Sequence, residues 1–154
     1  MEVMQPALTI CERSGKWATA WRQAARGSAS QVPVREVRGF DECRQALAQA
    51  RAGFVLVELT GENVADLCDF LNRLQFERPA VRIAVLAERG LEAYELIVRE
   101  LGAIHFVDSP RSLVPLVNVI QRYLASQPRP QASMREQIWE RLPWGATIKN
   151  HGEC

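Results

Sequence analysis

Short apolar runs alternate with amphipathic segments along most of the chain, and this pattern predicts five strands separated by five helices. The run at residues 54–59 is apolar except for one acid, which is typical of a strand covered on both faces. Between the runs, apolar residues recur at helical spacing, as at Trp17 and Trp21. The predicted strands are residues 7–11, 32–37, 54–59, 81–87 and 104–107.

Polar residues and glycines predict where the helices begin and end. Asp41 is the predicted N-cap of the second helix and Ser112 that of the fifth. Gly102 is the predicted C-terminal stop of the fourth helix. The apolar spacing places the third helix around 64–74, the fourth around 91–101 and the fifth around 113–124.

Strands that alternate with helices through short loops predict right-handed βαβ units and a parallel sheet between two helical layers. The predicted fold class is therefore α/β, a flavodoxin-like three-layer sandwich with strand order 2-1-3-4-5. The second strand contains Pro33 and several charges, so we expect it at an edge of the sheet.

A change in composition near residue 127 predicts two parts: a domain at 1–126, and a linker with a short helical tail at 127–154. Apolar side chains on an appended helix must be buried against something. The tail either packs on its own domain or docks on a partner or a second copy. Its predicted interaction residues are Ile138, Trp139, Leu142 and Trp144.

Composition excludes several classes of protein. The 154 residues are 47% hydrophobic and 24% charged, which is typical of a folded domain. A net charge of +1 argues against a nucleic-acid partner, and no apolar stretch approaches the ~20 residues that span a membrane. Four scattered cysteines predict reduced, buried thiols in a cytoplasmic protein. The two histidines, His105 and His151, are too far apart in sequence to suggest a zinc site.

Candidate chemistry lies at the ends of the first and third strands, where open α/β sheets place their sites. Glu58 stands near the end of the third strand, and Cys11 and Glu12 end the first. A reactive thiol needs a base or a positive neighbour. Because no histidine is placed to assist it, Cys11 is interpreted as a small buried apolar residue, as are Cys43 and Cys68 on their helices.

Two local runs carry a resemblance to a known family: AGFVLVEL at 52–59 and LGAIHFVDSP at 101–110. With the order and length of the elements, they make residues 6–126 resemble a response-regulator receiver domain of bacterial two-component signalling. The resemblance implies a switching aromatic at Phe106 and five phosphorylation-site positions. The magnesium-binding acidic pair falls on Cys11 and Glu12, the phosphoacceptor on Glu58, the hydroxyl on Ala87 and the lysine on Ser109.

These substitutions predict a degenerate pseudo-receiver with no metal, no cofactor and no catalytic residue. Magnesium prefers several hard oxygen ligands, and Cys11 offers none. Phosphoryl transfer needs charge stabilisation, which Ala87 and Ser109 do not supply. Glu58 is also one methylene longer than an aspartate. It is interpreted as an acid that is hydrated or paired with an arginine, as a mimic of the charged state, or with Glu12 as a residual metal ligand.

Two functions follow from the sequence. The first is a non-catalytic signalling or scaffolding module that binds a protein partner or forms a homodimer, through the tail or through the face of the fourth helix, fifth strand and fifth helix. The alternative is a flavodoxin-like enzyme or small-ligand-binding domain that uses Cys11, Glu12, Glu58 and Ser109. Trp17 and Trp21 share a helical face, which either packs in the core or is an exposed binding face.

Overall fold

The computed structural model describes residues 7–28, 31–50 and 52–127, and in these ranges five strands alternate with five helices. The strands are β1 (Leu8–Cys11), β2 (Val34–Val37), β3 (Gly53–Leu59), β4 (Val81–Ala87) and β5 (Ala103–Val107). The helices are α1 (Lys16–Ala24), α2 (Phe40–Ala48), α3 (Val64–Glu77), α4 (Glu95–Glu100) and α5 (Leu113–Ser126). Short 3-10 turns, Glu92–Tyr94 and Pro110–Ser112, precede α4 and α5.

All strand pairs are parallel and the order is β2-β1-β3-β4-β5, which confirms the predicted topology. The polar strand β2 is at one edge, and β5 is at the other. Pro33 lies just before β2, where its missing N–H costs no ladder bond, and its carbonyl accepts a hydrogen bond from Leu8 N at 3.0 Å.

Two apolar clusters cover the two faces of the sheet. Alternation along β3 directs Val55 and Val57 towards α2, α3 and α4, and Phe54 and Leu56 towards α1 and α5. The helical face of α1 that carries Trp17 and Trp21 is buried in the second cluster, so it belongs to the core. None of the described helices is both long and apolar enough to cross a bilayer.

The predicted N-cap of α2 is wrong, and that of α5 is right in position only. Helix α2 follows Gly39, and Asp41 lies inside its first turn, where Glu42 reaches back to accept a hydrogen bond from Arg38 N at 2.9 Å. Ser112 occupies the N-cap position of α5, as predicted, but its side chain forms no cap hydrogen bond. The 3-10 turn before α5 is capped instead by Ser109, whose hydroxyl accepts from Arg111 N at 3.3 Å.

The predicted end of α4 is confirmed. The helix ends at Glu100, and Gly102 follows with φ of 104°, a left-handed conformation that favours glycine. The predicted tail, with Ile138, Trp139, Leu142 and Trp144, lies outside the described residues, so the division of the chain near residue 126 stays a prediction.

Candidate functional site

A cleft of about 250 Å³ opens at the carboxyl edge of the sheet, beside the ends of β1 and β3. These strands neighbour each other where the strand order reverses, because β1 connects to β2 on one side and β3 to β4 on the other. Open α/β sheets bind ligands at this kind of position. The cleft is lined by Cys11, Glu12, Arg13, Arg38, Gly39, Phe40, Glu58, Thr60, Glu62, Asn63 and Asp66.

Glu12 is buried, and both of its carboxylate oxygens are occupied by the beginning of α1. Oε2 accepts from Trp17 N at 2.8 Å and Oε1 accepts from Ala18 N at 2.7 Å. The N-cap residue of α1 is Gly15, which has no side chain to satisfy these N–H groups. Glu12 therefore does the work of an N-cap from outside the helix, and its charge also complements the helix dipole.

Glu58 is also buried but is bonded more sparsely. Its Oε2 accepts from the backbone N–H of Arg13 at 3.2 Å. Its carbonyl accepts from the side-chain amide of Asn63 at 2.8 Å, and the Asn63 Oδ1 accepts from Thr60 N at 2.8 Å. The donor to Glu58 is thus a main-chain N–H, whereas the guanidinium of Arg13 lies near Glu62, and Asn63 ties the β3–α3 loop to the end of β3.

Arginine and glutamate side chains form the exposed rim of the cleft. The guanidinium of Arg13 lies 3.8 Å from the Glu62 carboxylate, and both side chains are largely exposed. Arg38 donates to the carbonyl of Glu12 at 3.3 Å and pairs with Glu36 at 3.3 Å. The rim charges are therefore largely paired with each other, and exposed pairs of this kind contribute little to stability.

Ala87 and Ser109 do not line the cleft. Ala87 is buried in the apolar cluster beneath α2, α3 and α4, so it offers a methyl group where the receiver resemblance expects a hydroxyl. Ser109 uses its hydroxyl to cap a turn. Phe106 is half-buried on β5 and packs against the same cluster as Ala87. Of the four residues of the alternative, enzymatic hypothesis, Cys11, Glu12 and Glu58 line the cleft and Ser109 does not.

The acids present do not fit a receiver's magnesium ion. Both oxygens of Glu12 already accept backbone hydrogen bonds, and Cys11 is a soft ligand in place of a second carboxylate. Among the residues that the structure describes, no group of three or more His, Cys, Asp or Glu side chains is arranged to hold a metal ion. No phosphoryl-transfer step is derived for this site.

The cleft is also small for a substrate pocket. Typical small-molecule pockets enclose ~300–1,000 Å³ and are mainly apolar. This cleft is about 250 Å³ and is bordered by Arg13, Arg38 and Glu62. Its small size and charged lining are less typical of an enzyme's active site than of a surface cleft.

Two participants at this edge were not predicted from the sequence. Asn63 directly precedes the predicted third helix, and Cys43 is interpreted as a buried apolar residue on its helix. Strand alternation does indicate that Cys43 lies near this edge. Cys11 pairs with Val37 and Val57 in the sheet, so its side chain is on the same face as theirs and is directed towards α2. No local pattern marked Asn63, since its partners are backbone groups of the loop itself.

Comparison with solved structures agrees with this architecture. A response regulator from Thermotoga maritima superposes with a TM-score of 0.63 at 18% identity, covering 80% of this chain and 100% of that chain. An atypical orphan response regulator, for which a phosphorylation-independent regulatory mechanism is described, gives 0.62 at 15% identity, covering 79% and 97%. An orphan response regulator of H. pylori gives 0.59 at 13% identity, covering 77% and 96%.

This chain has the fold of a response-regulator receiver domain. No family model matches the sequence, and no curated protein matches it. The assignment of Cys11, Glu12, Glu58, Ala87 and Ser109 to phosphorylation-site positions stays a prediction.

Proposed function

We propose that this protein is a cytoplasmic, non-catalytic signalling or scaffolding module, a pseudo-receiver that works without phosphorylation by binding another protein or a second copy of itself. The receiver-fold neighbours support a place in two-component signalling. One of these neighbours is an orphan regulator with a phosphorylation-independent mechanism, and by analogy it supports a role that does not need phosphorylation.

The observation that carries the proposal is the double hydrogen bond of Glu12. A carboxylate that holds the first turn of α1 with both oxygens cannot leave that turn without exposing two buried N–H groups. The remaining acid, Glu58, lacks the hydroxyl and the lysine that would neutralise a transferred phosphoryl group. In the proposed role, the permanent carboxylate of Glu58 holds the β1–α1 loop through Arg13 N and stands in for a charged state.

An exposed apolar face beside β5 supports binding of a protein. Leu96 and Ile97 on α4 and Ile104 on β5 are all exposed, and α4 lies against β5. Apolar side chains grouped at a sheet edge are typical of interaction surfaces. We call these three residues the α4–β5 patch.

Phosphorylation chemistry tests the proposal directly. The full chain is incubated with acetyl phosphate and Mg²⁺, and its intact mass is measured. We expect no phosphoryl adduct on the wild type and none on Glu58→Asp, because the shorter acid restores only one of the missing groups. A receiver with a complete site, treated in parallel, shows that the reagent is active.

A stoichiometric adduct on wild-type Glu58 would contradict the proposal. An adduct on Glu58→Asp alone would show that the rest of the site still supports phosphoryl transfer, and would contradict the role assigned to Ala87 and Ser109.

A further inference from the structure

Two cysteines from distant parts of the chain meet behind the cleft. Cys11 ends β1 and faces α2, and Cys43 lies on the buried side of α2. Both belong to the same core cluster, and Cys43 is fully buried. Interaction with the neighbouring Cys11 thiol, followed by burial, raises the pKa of Cys43 above its ordinary value.

The two thiols differ in access. Cys11 lines the cleft, whereas Cys43 lies behind it with no exposed surface. Cys11 is also buried, at 4% exposed, so the cleft that it lines is the route by which a small oxidant would reach it before Cys43. A thiol at a cleft backed by a second, protonated thiol matches the arrangement of an attacking and a resolving cysteine.

We propose that Cys11 and Cys43 form a redox-modification site in which a peroxide converts the thiol pair into a disulfide. In the first step the Cys11 sulfur attacks hydrogen peroxide, the O–O bond breaks, and Cys11 becomes a sulfenic acid with release of one water. In the second step the Cys43 sulfur attacks the Cys11 sulfur, and the leaving hydroxide takes the Cys43 proton as water. Two thiols are oxidised and one peroxide is reduced to two waters.

The disulfide would link the end of β1 to α2. It would close a loop that contains α1 and β2, and such a cross-link reduces the conformational entropy of the unfolded chain. It also lies one residue from Glu12, which holds the first turn of α1. Oxidation would thus stiffen the edge that the pseudo-receiver role depends on, but the chemistry itself does not require that role.

The test uses the full chain and a variant, Cys68→Ala/Cys154→Ala, in which only the pair remains. Each protein is treated with graded hydrogen peroxide under native conditions, free thiols are blocked, and tryptic peptides are analysed without reduction. We expect a mass loss of two hydrogens and a linked peptide that contains Cys11 and Cys43. The melting temperature should rise by roughly 5–10 °C and return after dithiothreitol.

Cys43→Ala supplies a second measurement, because it leaves Cys11 with no resolving thiol. We expect its sulfenic acid to persist and to be trapped by dimedone at Cys11. Cys68, partly buried on α3, is the matched comparison thiol and should react independently of the pair. The proposal is overturned if Cys11 and Cys43 stay reduced while Cys68 is oxidised, or if the linked peptide forms only in denaturant.

Discussion

Two buried acids stand at the same edge of the sheet, yet their surroundings give them different roles. Glu12 accepts two short hydrogen bonds from the first turn of α1, and Glu58 accepts one longer bond from Arg13 N. A buried carboxylate is costly unless such bonds replace its water. Glu12 is therefore primarily a stabilising residue, while Glu58 retains more capacity to interact with a partner group.

We expect Glu12→Ala to destabilise the protein by about 2–4 kcal/mol, because it leaves the N–H groups of Trp17 and Ala18 buried without their acceptor. Urea denaturation measures this change in the free energy of unfolding. Glu62→Ala is the matched control: Glu62 lines the same cleft but is exposed, and its substitution should cost within about 0.5 kcal/mol. Equal losses in the two variants would contradict the capping role.

His105 on β5 should make stability depend on pH. Burial, followed by the charge of Arg99, lowers its pKa below the ordinary 6.5. The unfolded chain then takes up a proton at a higher pH than the folded protein does. The protein therefore loses stability as the pH falls below 6.5, until the folded state also binds the proton.

The measurement is urea denaturation of wild type and His105→Gln at pH values on either side of 6.5. The wild type should lose more stability than His105→Gln between the two conditions. An identical pH dependence in both proteins would show that His105 is not responsible.

At the scale of elements, the ends of the helices depend on side chains that reach back from neighbouring positions. Glu42, in the first turn of α2, reaches back to Arg38 N, and Ser109 caps the 3-10 turn before α5. Gly102 is different, because its role depends on its own backbone conformation.

We expect Gly102→Ala to destabilise the protein by about 1–2 kcal/mol, which is the cost of a left-handed alanine. A Cβ there would lie 2.5 Å from the Gln75 Nε2, but Gln75 is an exposed side chain that can move away, so this contact adds little. Gly90→Ala, with a similar φ of 89° and open space, should cost about the same. Gly61→Ala is the control, because Gly61 has open space and no left-handed φ, and it should be close to neutral. Thermal unfolding ranks the three, and equal effects of Gly102→Ala and Gly61→Ala would contradict the need for a left-handed residue at Gly102.

At the scale of the whole molecule, the edge strands of the described sheet, β2 and β5, have different surfaces. The β2 edge is polar: Glu36 pairs with Arg22 and Arg38. The β5 edge is bordered by the α4–β5 patch, of which Leu96 is 70% exposed. An apolar patch beside an edge strand favours contact with another protein surface. In a two-fold dimer, the same patch residues would be buried in both chains.

We expect Leu96→Glu to weaken self-association of the full chain at least tenfold, since the charge would enter a two-fold interface twice. Sedimentation velocity over a range of concentrations measures the dissociation constant. Phe76→Glu on α3 is the matched control, because Phe76 is 81% exposed and lies outside the patch. Equal association of both variants and wild type would remove the patch from the proposed function.

Much of the fold could be predicted because its signals are local. The nearly unbroken apolar run of β3, the polar β2 and the glycine after α4 each follow from chemistry within a few neighbouring residues. The N-cap position of α5 was predicted, but the side chains that bond near the starts of α2 and α5 were not, because several acceptors stand within one turn. The candidate site was predicted as a set of positions, but the structure separated Ala87 and Ser109 from the cleft.

By itself, the sequence determined the parallel sheet and the strand order, since hydrophobic periodicity is a property of the chain. Only the tertiary structure decided what the residues at the sheet edge contact. The bonds of Glu12 to α1 and the meeting of Cys11 with Cys43 join segments whose approach depends on how α1 and α2 pack on opposite faces of β1. Strand parity gives the direction of each side chain, but packing of the layers selects its partner.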